Sequence, residues 1–261
     1  MTPSVPTSYV EHAAPASLRE YVECFWTRGA PAVAGAGVPN DVDLVLPDGC
    51  IDVVLGYRGS SPGEPPSLGL AVGTMTRPLA IHGMDPIGYL GVRFWPGRAL
   101  PFLGVPASEL TDLRVDIAQV WTDSDAALEC FPAAGVAELL ARFDAVLSRR
   151  LRGAPPVDKS VDGAVRAILR AGGNVSIASL APALGVTRQH LARVFALHVG
   201  VPPKMFARVA RVRRALAKAR VAAHIDWAAL ALETGYYDQA HLAGEIRELT
   251  GRSPSAWRAS A

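Results

Sequence analysis

The chain has 261 residues, 50% hydrophobic and 19% charged, with a net charge of +2; this is enough apolar material for cores in two domains of ordinary size and excludes a disordered chain. No apolar run approaches the roughly 18 residues that cross a bilayer, and the start "MTPSVPTSYVEHAAP" lacks the basic region and apolar core of a secretory signal, so a soluble, cytoplasmic protein is expected. Three cysteines, Cys24, Cys50 and Cys130, form no C-x-x-C pair and fit a reducing compartment better than a disulfide framework.

The first half reads as β-rich. The stretch "VDLVLPDGCIDVVLGY" (42–57) alternates apolar and other residues on both sides of Pro47-Asp48-Gly49. Pro fixes φ, Asp bonds to the turn backbone and Gly takes the left-handed position, so a hairpin is predicted there. Further strands are expected over 68–74, 78–83 and 87–95, a spacing that points to a small barrel or sandwich. Helices should follow over 124–131 and 135–151, the second with Val136, Leu139, Leu140, Phe143 and Leu147 along one side.

Chemistry in this half is sparse. Arg93, inside the apolar "YLGVRFW", either meets an anionic effector or pairs with a carboxylate such as Asp52, the pairing being the plainer reading. Cys50, His82 and Trp95 are candidates to line an effector pocket with Arg93, although isolated side chains of these types are more often core or rim. No His-x-His or His-x-x-x-His spacing occurs, so no metal is expected. Nucleophile elbows, P-loops, dinucleotide fingerprints and zincin motifs are absent, so neither a catalytic residue nor a cofactor is expected.

Gly and Pro in "GAPPVD" (153–158) mark a linker and divide the chain into residues 1–154 and 155–261. The first part carries 11 Lys and Arg against 17 Asp and Glu, a net of −6; the second carries 15 against 7, a net of +8. Such a split suits a basic module for a polyanion joined to one with another task, although solvated basic helices are common.

The basic part contains a repeat about 50 residues long. Ile177-x-x-Leu180-Ala181-x-x-x-Gly185-Val186, His190-Leu191-Ala192 and Phe195-x4-Gly200-x-x-Pro203-x-x-Phe206 form the first copy. Trp227-x-x-Leu230-Ala231-x-x-x-Gly235-Tyr236, His241-Leu242-Ala243 and Ile246-x4-Gly251-x-x-Pro254-x-x-Trp257 form the second, with one extra residue in its turn. Each copy reads as helix, glycine turn, helix, because Gly185 and Gly235 can take positive φ and redirect the chain.

In "GVTRQHLARVF" (185–195) the positions Leu191, Val194 and Phe195 pack inward, which leaves Arg188, Gln189, Ala192 and Arg193 outward. That is the layout of a helix-turn-helix whose second helix enters the major groove. Pro182 suggests that the first helix starts near Ser179, where proline would fall in its first turn. Between the copies "PPKMFARVARVRRALAKARVA" forms a basic linker helix of about 16 residues, roughly 24 Å long, with Val209, Val212 and Leu216 as its buried stripe.

These residues resemble the AraC/XylS-type transcriptional regulators over 158–258, most specifically in "ETGYYDQAHLAGEIRELTGRSPSAWR" (233–258). The stretches "SLREYVECFWT", "LPDGCIDVVL" and "GVRFWPGRALPFLGVPASELTD" resemble an amino-terminal domain of one branch of that family. The resemblance implies an α+β chain: a β-rich, cupin-like barrel for effector binding or dimerisation, then an all-α domain of two helix-turn-helix subdomains joined by a linker helix. The expected partners are double-stranded DNA, a small-molecule effector, RNA polymerase and a second copy of the chain, with no membrane. A transcriptional regulator, activator or repressor, is the expected role.

Candidate DNA contacts are Arg188, Gln189 and Arg193 in the first copy, Gln239, His241 and Arg247 in the second, and Arg211 on the linker helix for phosphate. Here the second reading helix departs from the family pattern, with Gly244 and Ile246 where a large polar residue and an aromatic are usual. The first copy should therefore supply most of the readout. His190 and His241 are expected to pack or cap rather than read bases. Two other readings stay open: a DNA-alkylation repair protein with Cys50 or Cys24 as acceptor, and a nonspecific architectural DNA binder.

Overall fold

The computed structural model describes residues 9–28, 43–58, 68–81, 87–121, 136–154, 156–222 and 224–259. The expected helix over 124–131, His82 and Cys130 lie outside them. Strands are β1 (Tyr9–Ala13), β2 (Val22–Arg28), β3 (Asp43–Val45), β4 (Ile51–Arg58), β5 (Leu68–Val72), β6 (Leu79–Ile81), β7 (Ile87–Phe94) and β8 (Arg114–Asp116). Among the described residues they form an antiparallel sheet in the order β1-β2-β7-β4-β5-β8 and a separate pair, β3 with β6.

Alternation places Val53 and Leu55 of β4 and Leu90, Val92 and Phe94 of β7 on the buried face. They meet Phe102 of a short helix α1 (Leu100–Leu103), Trp121 after α2 (Ile117–Val120), and Phe143 and Leu147 of α3 (Val136–Leu151) in one core. On the opposite face, the register sets Trp26 against Gly91 and Asp52 against Arg93. A Cβ on Gly91 would lie 2.1 Å from the Trp26 ring, so only glycine lets that indole lie flat on β7.

The hairpin expected at Pro47-Asp48-Gly49 does not form. Its turn chemistry is present, with Gly49 at φ +82° and Asp48 Oδ1 accepting from the Cys50 backbone N–H at 2.9 Å. The flanking strands nevertheless join different sheets, β3 pairing with β6 and β4 with β5 and β7. The turn is held instead by a helix of the second domain: a Cβ on Gly49 would lie 2.2 Å from Phe206.

The second domain is helical: α4 (Lys159–Arg170), α5 (Ile177–Ala183), α6 (Arg188–Val199), α7 (Pro203–Val221), α8 (Trp227–Glu233), α9 (Gln239–Thr250) and α10 (Pro254–Ala259). Among the described residues no helix is long and apolar enough to cross a membrane. Leu180, Ala181, Leu191, Val194, Phe195 and Phe206 anchor the core of the first helix-turn-helix unit. Leu230, Ala231, Tyr236, Leu242, Ile246 and Leu249 repeat that arrangement in the second.

The linker helix α7 has 19 residues and serves both cores, Phe206 and Ala207 turning into the first and Val209, Val212 and Leu216 into the second. Gly185 and Gly235, at φ +71° and +84°, make the two turns. The first helix begins at Ile177, not near Ser179. Leu180 already bonds back to the Ser176 carbonyl, and Pro182 falls in the last turn, where it removes a single donor from a helix about to end.

Candidate nucleic-acid interface and the domain boundary

Helix α6 starts at a capped end, Thr187 Oγ1 accepting from the His190 N–H at 3.1 Å. Its first turn presents Arg188, Gln189 and His190 to solvent, and Ala192 and Arg193 continue that face one turn on. Among the described residues the side chains of Arg188, Gln189 and Arg193 make no hydrogen bond or ion pair, so their donors are free for an external acceptor.

In the second unit Asp238 Oδ1 caps α9 through the His241 N–H at 2.7 Å. Gln239, Ala240, His241, Gly244 and Arg247 are exposed along it. The His241 ring packs perpendicular to that of Tyr236, with ring centres 5.2 Å apart. Both histidines thus carry capped backbone N–H groups while their rings remain exposed.

Arg211 sits elsewhere. It is half-buried with its guanidinium 5.1 Å from the centre of the Tyr236 ring, Nη1 donates to the Gly235 carbonyl at 3.5 Å, and Nε is buried without a partner. This ties Arg211 to the packing of the second unit. Sequence reasoning missed its neighbour Arg208, which clamps α7 to α9 through Glu245 at 2.8 Å and Glu248 at 2.6 Å. A contact across 37 and 40 residues has no local signal.

The first domain grips the far end of helix α6. The last carbonyls of a helix have no partner within it. Here Thr74 Oγ1 donates to the Val199 carbonyl and Thr111 Oγ1 to the Gly200 carbonyl, each at 2.5 Å. Gly200 permits the approach: a Cβ there would lie 3.1 Å from the Ala107 carbonyl oxygen and from Thr74. Nearby, buried Arg98 joins Glu20 at 3.1 Å to Asp162 of α4. Leu46 packs on the second core, and Asp48 pairs with Arg213 of α7 at 3.5 Å.

Between these contacts lies a cavity of about 460 Å³, lined by Glu23, Asp48, Cys50 and Trp95 from the first domain and Arg170, Arg213 and Arg214 from the second. Two candidate pocket residues, Cys50 and Trp95, therefore share one cavity. Arg93 stands behind it, 3.5 Å from Asp48 and 3.3 Å from Asp52, whose Oδ1 also accepts from Trp26 Nε1 at 2.8 Å. The carboxylate pairing expected for Arg93 is present. Among the described residues no group of three His, Cys, Asp or Glu is placed to hold a metal ion.

Neither described cysteine is an activated nucleophile. Burial, then the nearby Glu11 carboxylate, pushes the Cys24 thiol up to about 12. Burial beside Glu23, 3.5 Å from the sulfur, raises Cys50 well above its ordinary value. A protonated thiol does not attack an alkyl group readily, and the repair reading finds no support here.

Residues 10–116 match a family described as a domain of unknown function (DUF6597), and residues 180–260 match a helix-turn-helix domain. No curated protein matches. Among solved structures the chain is similar to an AraC-type transcriptional regulator from Chromobacterium violaceum, at 22% identity and TM-score 0.36 over 39% of this chain and 90% of that one. It is also similar to apo ToxT K231A from Vibrio cholerae, at 8% identity and TM-score 0.45 over 90% and 96% of the two chains. ToxT of the same species bound to an unsaturated fatty acid matches at 11% identity and TM-score 0.43 over 84% and 91%. The two matches cover the β-rich part and the paired helical units in turn, so the chain carries a domain of unknown function followed by a helix-turn-helix domain.

Proposed function

We propose that this protein regulates transcription by reading a DNA site with α6 and α9, and that a small molecule bound at the domain boundary changes how firmly the first domain holds that pair. The observation that carries the reading is the free outward row Arg188, Gln189 and Arg193 on a capped second helix, with Gln239, His241 and Arg247 exposed on the matching helix of the second unit, where Gln239 stands at the position of Arg188. Arg pairs in bidentate fashion with guanine and Gln with adenine, each pair discriminating by about 1–3 kcal/mol. Helix α7 sets the two reading helices apart for neighbouring major grooves, which recur about every 34 Å.

Residues 1–154 and 155–261 are the two working units of this proposal. The cavity lined by Cys50 and Trp95 is its effector site, because a ligand there touches both units and can bind their two arrangements with different affinity. RNA polymerase and a second copy of the chain are further partners on the strength of the family resemblance, and work on chromosomal DNA places the protein in the cytoplasm. Sequencing genomic fragments retained by the purified protein at fixed salt tests the reading. Recurrent enrichment of one motif supports a sequence-specific regulator, whereas uniform retention supports an architectural binder.

A further inference from the structure

The two helix-turn-helix units differ by one inserted residue, and the structure identifies it. In the first unit the N-cap Thr187 follows Gly185 by two positions, with half-buried Val186 between them. In the second, Asp238 follows Gly235 by three, and buried Tyr236 takes the place of Val186. Tyr237 is therefore the insertion. Its side chain is 87% exposed, and it makes no hydrogen bond among the described residues.

An aromatic ring left in water contributes nothing to folding, and the polar residues usual in turns would fit there at least as well. Its surroundings show what it replaces. The first turn of α6 carries Arg188, whereas the first turn of α9 carries Gln239, Ala240 and His241 and has no permanent cation. Further along, Ala240 and Gly244 offer no reach, and Arg247 stands in the last turn, roughly 12 Å from the start of the helix. Beside Gln239 and His241 of that turn, which carry no permanent charge, the inserted tyrosine adds a long phenol able to reach a phosphate. Phenol hydroxyls are regular donors to DNA phosphates, and the ring can lie against the adjoining deoxyribose.

We infer that Tyr237 is a DNA-contact residue of the second unit, donating its hydroxyl to a backbone phosphate that an arginine would otherwise hold. The inference rests on the regulator reading above. It carries a distinctive signature: a neutral contact releases no counterion, so removing it leaves the salt dependence of binding unchanged, whereas losing an arginine contact lowers the log–log slope by about 0.9.

The test uses the full chain and a DNA fragment recovered by the genomic selection, with Kd measured across a salt series for wild type, Tyr237→Ala, Tyr237→Phe and Arg188→Ala. Tyr237→Ala is expected to bind about tenfold more weakly at every salt concentration, with the wild-type slope and wild-type Tm. Tyr237→Phe should fall between the two, and one neutral methylphosphonate in the second half of the site should erase its difference from wild type. Arg188→Ala should flatten the slope. Wild-type affinity in Tyr237→Ala, or a loss that tracks a lowered Tm, overturns this inference and leaves the regulator reading standing. Failure of the wild-type chain to enrich any fragment overturns both.

Discussion

Asp48 reaches across the domain boundary to Arg213, and the same carboxylate oxygen also meets Arg93, each at 3.5 Å. One turn of the first domain thereby joins a buried ion pair of its own sheet to the linker helix between the reading helices. The Arg213 side chain is 54% exposed, so this pair contributes roughly 1 kcal/mol or less to stability. Its effect should be positional. Asp48→Asn keeps the bond from the Cys50 N–H but removes the charge, and should expose the 153–158 linker to faster proteolysis and raise amide exchange in α7 with little change in Tm. Unchanged exchange would mean that Asp48 does not hold the boundary.

Thr74→Val and Thr111→Val keep side-chain shape and delete the donors to the Val199 and Gly200 carbonyls. Each should cost about 1–2 kcal/mol by chemical denaturation, since a helix-end carbonyl loses its partner. Thr74, the more buried of the two, should cost more.

The repeat makes the second domain legible in the sequence alone. Glycines at matched turns, inward Leu191 and Leu242, and outward Arg188, Gln189 and Arg193 follow from local spacing alone. The contacts across the boundary are not legible in the sequence, because the Thr74 and Thr111 bonds span 125 and 89 residues. The same reason misled the reading of Pro47-Asp48-Gly49: its local chemistry is that of a hairpin turn, but its partner is Phe206, far along the chain. Linker-helix arginines carry the same charge whether they face Tyr236, Glu245 or solvent, so charge pattern could not separate Arg208 and Arg211 from free cations. Cys50 and Trp95 were singled out by type, and only the fold shows that they line one cavity.

Two glycines of the reading units should respond oppositely to alanine. A Cβ on Gly244 meets nothing within 4 Å, so Gly244→Ala should stabilise the chain by about 1 kcal/mol through helix propensity. Gly200 has φ +94° and crowded surroundings, so Gly200→Ala should cost more than about 1 kcal/mol. Denaturant midpoints measured side by side decide both.

His198, near the end of α6 and beside the turn at Gly97, is held below its ordinary value of 6.5 by burial, with Asp158 pulling the other way. The fold favours the neutral ring, so the unfolded chain binds the proton more readily. Stability from this group is present above pH 6.5 and falls as the pH drops through the folded value. His198→Gln should flatten the stability profile in that range, and a profile identical to wild type would assign the acid sensitivity elsewhere.

Arg211→Ala should lower Tm and weaken all DNA alike, because it loosens the second unit around Tyr236. Arg193→Ala should leave Tm unchanged and weaken the preferred site more than random DNA. Equal losses on both DNAs for both variants would remove the distinction between a packing arginine and a reading one.

The central claim is that α6 reads bases. Its most direct measurement is the binding of wild type and of an Arg188→Ala, Gln189→Ala, Arg193→Ala variant to the selected fragment and to random DNA at one salt concentration, alongside Tm. The account expects the wild type to prefer the selected fragment and the variant, equally stable, to lose that preference while retaining weak binding to both. A variant that keeps the full preference would contradict it.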